Sequence, residues 1–278
     1  MPNLSLTKRG SWLSLLVVAM GLFTFSPVTI YAYSVVIQGN SLTPSEVEIG
    51  KQRQRLSARD PEERRDALMK LGSMRRPAAS REALVGLSDV SPMVRAVAAK
   101  AILSLGPDES VTALLPLLND KDEFVRREAV YALGLTRSRR ATESVGRLLT
   151  TDKEEGVRAA AAVALGEIGD ESAVVTLANV LAPELSGSSG RKARAERNVF
   201  VLRASAKSLG QIRSRAGVPA LVVVLSNEKM VDDVRREAAL ALGMIGDPAA
   251  VPALRLAANS SDPYLAQTAY QSLRKIVP

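Results

Sequence analysis

Read for polarity alone, residues 60–278 break into short stretches whose apolar positions recur every three or four residues, each closed by a Gly, Asp, Pro or charged turn. The stretch 153–181 is representative. Val157, Ala161, Ala164, Leu165 and Ile168 step by 4, 3, 1 and 3, which is one face of an α-helix. Gly169-Asp170 follows, and glycine suits the left-handed residue that ends a helix. A second stripe, Val174, Leu177 and Leu181, steps by 3 and 4 and predicts a second helix. Val111, Leu114 and Leu118, or Val218, Leu221 and Leu225, take the same places elsewhere. Neither helix can bury its stripe alone, so the pattern predicts helical hairpins stacked on their neighbours.

The phrase Val-Arg with Gly eight residues after the Arg recurs at Val125-Arg126…Gly134, Val157-Arg158…Gly166 and, with the Gly at the same offset, Val234-Arg235…Gly243. Val94-Arg95 belongs to the series with Leu103 in place of the Gly, and so does Arg64…Gly72. Anchors at Arg64, Arg95, Arg126, Arg158, Leu202, Arg235 and Ala266 are spaced 31, 31, 32, 44, 33 and 31 residues apart. A fixed period of this length means a repeat architecture. The expected fold is all-α, an α-solenoid of about six and a half hairpins over 60–278, with extra residues inserted as a loop at 183–197. Thr43-Pro44-Ser45-Glu46 reads as a capping box, predicting a short capping helix over 44–58 within a linker at 33–59. The run Val157-Arg158…Ala164-Leu165-Gly166-Glu167-Ile168-Gly169-Asp170…Ala173-Val174…Leu177 resembles the PBS-lyase type of HEAT repeat. That resemblance implies an armadillo/HEAT-like superhelix and leaves activity open, because such repeats serve unrelated functions.

The first residues follow a different pattern. Lys8-Arg9 precede an uncharged apolar run from Trp12 to Phe25, the layout of a secretory signal. Residues 1–32 are expected to be a signal peptide cleaved after Ala32. The second reading keeps 12–37 as a membrane anchor, since about 20 apolar residues span a bilayer. Both readings export the remainder to the periplasm, envelope or exterior, with membrane contact only through this segment.

Composition then removes classes of chemistry. The chain has no Cys and no His, so it lacks thiolates, the commonest general base and the commonest metal ligand. Arg127-Glu128 before Ala132-Leu133-Gly134, and Arg236-Glu237 before Ala241-Leu242-Gly243, resemble the deoxyhypusine hydroxylase family, whose iron ligands are His-Glu pairs at that place. Here Arg stands where His is needed, and a guanidinium has no lone pair to donate. Glu128 and Glu237 are therefore expected to be solvated. Bilin lyase subunits share the repeat, and that resemblance implies a lyase-type or other enzyme-associated subunit as the alternative. A likeness to HEAT-like DNA glycosylases meets too few aromatic side chains to hold an extruded base. No nucleic acid, cofactor or metal is expected.

Two charge patterns stand out. Arg95, Arg126 and Arg158 each follow an Asp by six residues (Asp89, Asp120, Asp152), which predicts a ladder of Asp caps accepting from the nearby Arg. The turns inside the hairpins alternate in sign. Arg75-Arg76, Arg137-Ser138-Arg139-Arg140 and Arg213-Ser214-Arg215 are basic, whereas Asp108-Glu109, Asp170-Glu171 and Asp247 are acidic. Pairing between neighbouring turns accounts for the alternation; an edge that binds an acidic partner through Arg75, Arg76, Arg137, Arg139, Arg140, Arg213 and Arg215 is the functional alternative. The expected function is a non-catalytic scaffold that binds a protein on the face lined by the second helices. A structural module of an envelope complex is a further alternative.

Overall fold

A computed structural model describes residues 42–182 and 198–277. The expected targeting segment 1–32, the segment 12–37 and the inserted loop 183–197 lie outside the described residues. The chain divides into two compact units, Met1–Glu48 and Ile49–Pro278. Helix α1 (Pro44–Arg55) begins on the capping box: the Thr43 backbone N–H donates to Glu46 Oε2 at 2.7 Å, and the Glu46 N–H donates back to Thr43 Oγ1 at 3.3 Å.

In the second unit every described element is helical. First and second helices alternate as α2 (Pro61–Ser73) and α3 (Pro77–Ala83), α4 (Pro92–Ala101) and α5 (Pro107–Leu114), then α6 (Glu123–Thr136) and α7 (Thr142–Thr151). They continue as α8 (Glu155–Ile168) and α9 (Val174–Leu181), α10 (Val199–Ile212) and α11 (Val218–Ser226), α12 (Asp232–Ile245) and α13 (Val251–Ala257), ending on the unpaired α14 (Pro263–Ile276). This is an all-α solenoid of six hairpins and a half. The predicted stripes of the second helices, such as Leu177, Leu181, Leu221 and Leu225, are buried.

Consecutive first helices form the denser layer, and the repeating Gly explains why. A Cβ built on Gly134 would lie 2.9 Å from Ala164 Cα, and one on Gly210 would lie 2.8 Å from Ala241 Cα. Each helix thus brings its backbone against a small residue of the next one, and any side chain would force them apart. The second hairpin shows the consequence of losing the Gly. Leu103 stands there, and α4 stops at Ala101, a turn short of its counterparts, with Gly106 in an ordinary conformation at φ −59°.

The arginine ladder is differently wired from the expectation. Arg64, Arg95 and Arg126 each form a two-pronged ion pair with the Asp of the next repeat (Asp89, Asp120 and Asp152), with N···O distances of 2.7–3.0 Å. The Asp six residues earlier offers only its backbone: Arg95 Nη1 donates to the Asp89 carbonyl at 2.8 Å, and Arg126 Nη1 to the Asp120 carbonyl at 2.9 Å. Nor do these Asp side chains cap the helix. They accept from the N–H two residues on, at Ser91, Asp122 and Glu154, so each tightens the turn before a first helix. The reason is reach, because an extended Arg side chain spans the gap between stacked hairpins. Among the described residues the ladder pauses at Arg158, which meets the carbonyls of Asp152 and Lys153 and lies 3.9 Å from Glu155. At the anchor Arg235 the guanidinium turns to the Leu225 carbonyl and Asp232, and the next residue, Arg236, reaches the following repeat instead, its Nε donating to Asp262 at 2.7 Å.

Candidate functional site

The turns inside the hairpins form one connected row. Arg81 lies 3.9 Å from Glu109, joining the first two hairpins. Arg140 meets Asp108 at 3.2 Å, and Thr142 Oγ1 donates to Asp170 at 2.8 Å. Ser214 Oγ donates to Glu171 at 2.7 Å, and Arg215 meets Asp247 at 3.4 Å. Arg137 approaches Glu167 at 3.8 Å. Turns of opposite sign therefore form ion pairs between the second and third hairpins and between the fifth and sixth, whereas the other junctions are joined by a hydroxyl or by a side chain of a flanking helix. Arg75, Arg76, Arg139 and Arg213 are exposed and form no ion pair among the described residues.

Three of these arginines have an unusual backbone. Among the described residues, Arg75, Arg137 and Arg213 are the non-glycine residues at positive φ, +50°, +53° and +59°, and Gly169 and Gly246 hold the same place in other repeats at +70° and +76°. The left-handed conformation costs an L-residue about 1–2 kcal/mol relative to Gly. A cation after the last helical turn offsets part of that by facing the negative end of the helix. The sequence carried the signal, since a column alternating Gly with Arg places Arg in a glycine conformation.

The pair of Glu residues expected in solvent behaves otherwise. Glu128 is buried and paired with Lys100, with Arg127 4.0 Å away. Glu237 is partly buried and lines a small groove with Arg203, Asp233, Arg236 and Thr268. Burial pushes its carboxyl pKa up, and Lys207 and Arg203 only partly counter this. Sequence reasoning missed these environments because they depend on which side chains the preceding first helix brings. The positions do not fit an iron centre: Arg127 and Arg236 occupy the places where neutral donors are required. No cluster of three potential metal ligands occurs among the described residues.

On the layer of second helices, a groove of about 800 Å³ runs between α5 and α7, lined by Leu115, Leu118, Arg126, Arg147, Leu148 and Asp152. A second, of about 460 Å³, lies between α7 and α9 and shares Arg147. Gly146 lines it, and a Cβ there would meet only the Thr176 methyl at 3.9 Å.

The HEAT-repeat family model matches residues 52–134, 111–186 and 191–274. The chain belongs to the HEAT-repeat family. A stretch of 68 residues is 40% identical to deoxyhypusine hydroxylase of Gallus gallus and covers 24% of this chain and 23% of that protein, so the HEAT-repeat chain spans about a quarter of its curated relative. Human deoxyhypusine hydroxylase in complex with glycerol aligns at 20% identity and a TM-score of 0.42, covering 91% of both chains. The complex of CpcE and CpcF of phycocyanin lyase from Nostoc sp. aligns at 24% identity and a TM-score of 0.48, covering 84% of this chain and 87% of that one.

The kinship with an enzyme corrects two expectations, the non-catalytic scaffold and the exclusion of an enzyme. The error lay in the inference from composition. Lacking His and Cys removes the commonest ligands from one chain, but it does not separate that chain from enzymes whose remaining groups come from a partner, a cofactor or other residue types.

Proposed function

We propose that this HEAT-repeat chain is an enzyme-associated subunit of oxidoreductase or lyase type, holding its enzyme partner on the layer of second helices. The observation that carries the reading is the 40% identity to an enzyme over 68 residues. The two adjoining grooves on either side of α7 support it, because they offer apolar side chains, hydroxyls and Arg147 along one continuous surface. Gly146 also supports it. Glycine inside a helix costs about 1 kcal/mol against Ala, and here no neighbouring helix requires it. Its bare backbone suits close approach by a partner.

The test is co-purification of the full chain from its native source, with turnover of the associated enzyme as the readout and an Arg147→Glu variant as the comparison. Enzyme turnover that travels with the parent chain and drops at least tenfold with the variant is the expected result. A chain that brings no enzyme, and whose loss leaves the host's bilin attachment and deoxyhypusine hydroxylation unchanged, sinks the reading. We also propose that residues 1–32 direct export, tested by the N-terminal residue of the mature protein: Tyr33 marks cleavage, and an intact Met1 or Pro2 in a membrane fraction marks an anchor.

A further inference from the structure

We infer that the row of hairpin turns is an interface between two antiparallel copies of this chain. There are six turns, in the order basic, acidic, basic, acidic, basic, acidic. A two-fold axis reverses that order in the partner copy, so the first turn faces the sixth, the second the fifth and the third the fourth. With an even number of alternating turns, every basic turn then faces an acidic one. An odd number would set like charge against like at every turn. The axis falls between the third and fourth turns, where Arg137, Arg139 and Arg140 face Asp170 and Glu171 and charge is densest. Such an interface is self-complementary and closed. A parallel register shifted by one turn also matches signs, but it leaves an unpaired turn at each end and propagates into an open array.

The pairs within one copy do not use up these groups. Arg137 and Arg215 are 76% and 83% exposed while they pair, and Asp108 is 76% exposed. Exposed pairs of this kind are weak and exchangeable. Arg75, Arg139 and Arg213 have no ion pair among the described residues. The second, independent observation is the backbone: Arg75, Arg137 and Arg213 hold a glycine conformation at three alternate turns, while Gly stands at that place in two acidic ones. The fold accepts Gly there, so it does not itself ask for Arg. An acidic partner, the complement expected of these arginines, is then supplied by the acidic turns of a second copy.

The experiment measures the mass of the full chain by sedimentation in mild non-ionic detergent, at low and high salt, with two charge variants. The first is Arg139→Glu with Arg140→Glu, which makes the third and fourth turns both acidic; the second is Glu167→Lys with Glu171→Lys, which flanks Asp170 with two lysines and leaves the fourth turn and the end of α8 net basic beside the basic third turn. The expected result is a parent dimer at 50 mM salt that dissociates at least tenfold more readily at 500 mM. Each variant alone should be a monomer with the helical content of the parent, and an equimolar mixture should restore the dimer. Both variants keep a net positive charge, so general attraction cannot produce the mixed species. A monomeric parent overturns the inference, as does a mass that grows without limit with concentration. Association indifferent to the swaps, as contact through the apolar N-terminal residues would give, overturns it too.

Discussion

At Arg126 and Asp152 two ionised side chains are almost fully covered, 8% and 6% exposed, yet both prongs are hydrogen-bonded. Such a pair is costly to break from one side, because the survivor is a buried charge without its counterion. Arg126→Ala should lose about 3–5 kcal/mol in urea unfolding, with the double variant Arg126→Ala/Asp152→Ala costing less than the two single losses combined. The pair also links stability to pH. Burial pushes the Asp120 and Asp152 carboxyls up, but hydrogen bonds from Arg95 and Arg126, and from the N–H groups of Asp122 and Glu154, outweigh it and hold both below the ordinary range. A folded-state pKa below the unfolded value of about 3.9 means the contribution is complete above about pH 4 and is lost as pH falls through the depressed value. Stability should be flat in this respect from about pH 5 to 8 and fall in acid, and Asp120→Asn should flatten that acid slope. At Arg137, with φ +53°, Gly should be tolerated better than Ala by about 1 kcal/mol, although Ala is the better helix former. Equal melting temperatures would refute that.

Between helices, the same substitution should act with opposite signs at two places. Gly134→Ala sets a methyl 2.9 Å from the Ala164 backbone, so α6 and α8 must separate and the protein should lose about 1–3 kcal/mol. Gly146→Ala in α7 meets only a methyl at 3.9 Å, so helix propensity decides and stability should rise by about 0.5–1 kcal/mol. Both are read from denaturation midpoints, and a loss at Gly146 would mean that a contact holds the groove open.

For the second unit as a whole, stability is the sum of hairpins and their interfaces, and the arginine ladder adds a clamp at each of the first three junctions. Among the described residues the junction between α8 and α10 lacks that clamp, since there Arg158 meets only its own repeat. The two helices still pack closely, with Ser208 Oγ donating to the Ala162 carbonyl at 2.7 Å. Unfolding should therefore begin to uncouple there, and hydrogen exchange should show α10 to α14 opening at a lower free energy than α4 to α8. Uniform protection across both halves would count against a weak junction.

Periodicity was enough for the helices, their pairing into hairpins and their number, because apolar spacing and helix-ending glycines are local and repeat unchanged. The column of Gly residues was legible too, although what each one touches was not. Contacts between repeats belong to the tertiary structure. The carboxylate that answers each Arg sits about 25 residues ahead and only stacking brings it within reach, whereas the Asp six residues behind is close in sequence and turned away. Burial of Glu128 has the same cause, since Lys100 arrives from the preceding first helix. The alternation of the turns and the column that sets Arg in a glycine conformation were written in the sequence, but the pairing of the turns was settled by how successive hairpins stack. A repeat determines its own shape locally; the partner of a long charged side chain depends on the neighbour it leans against.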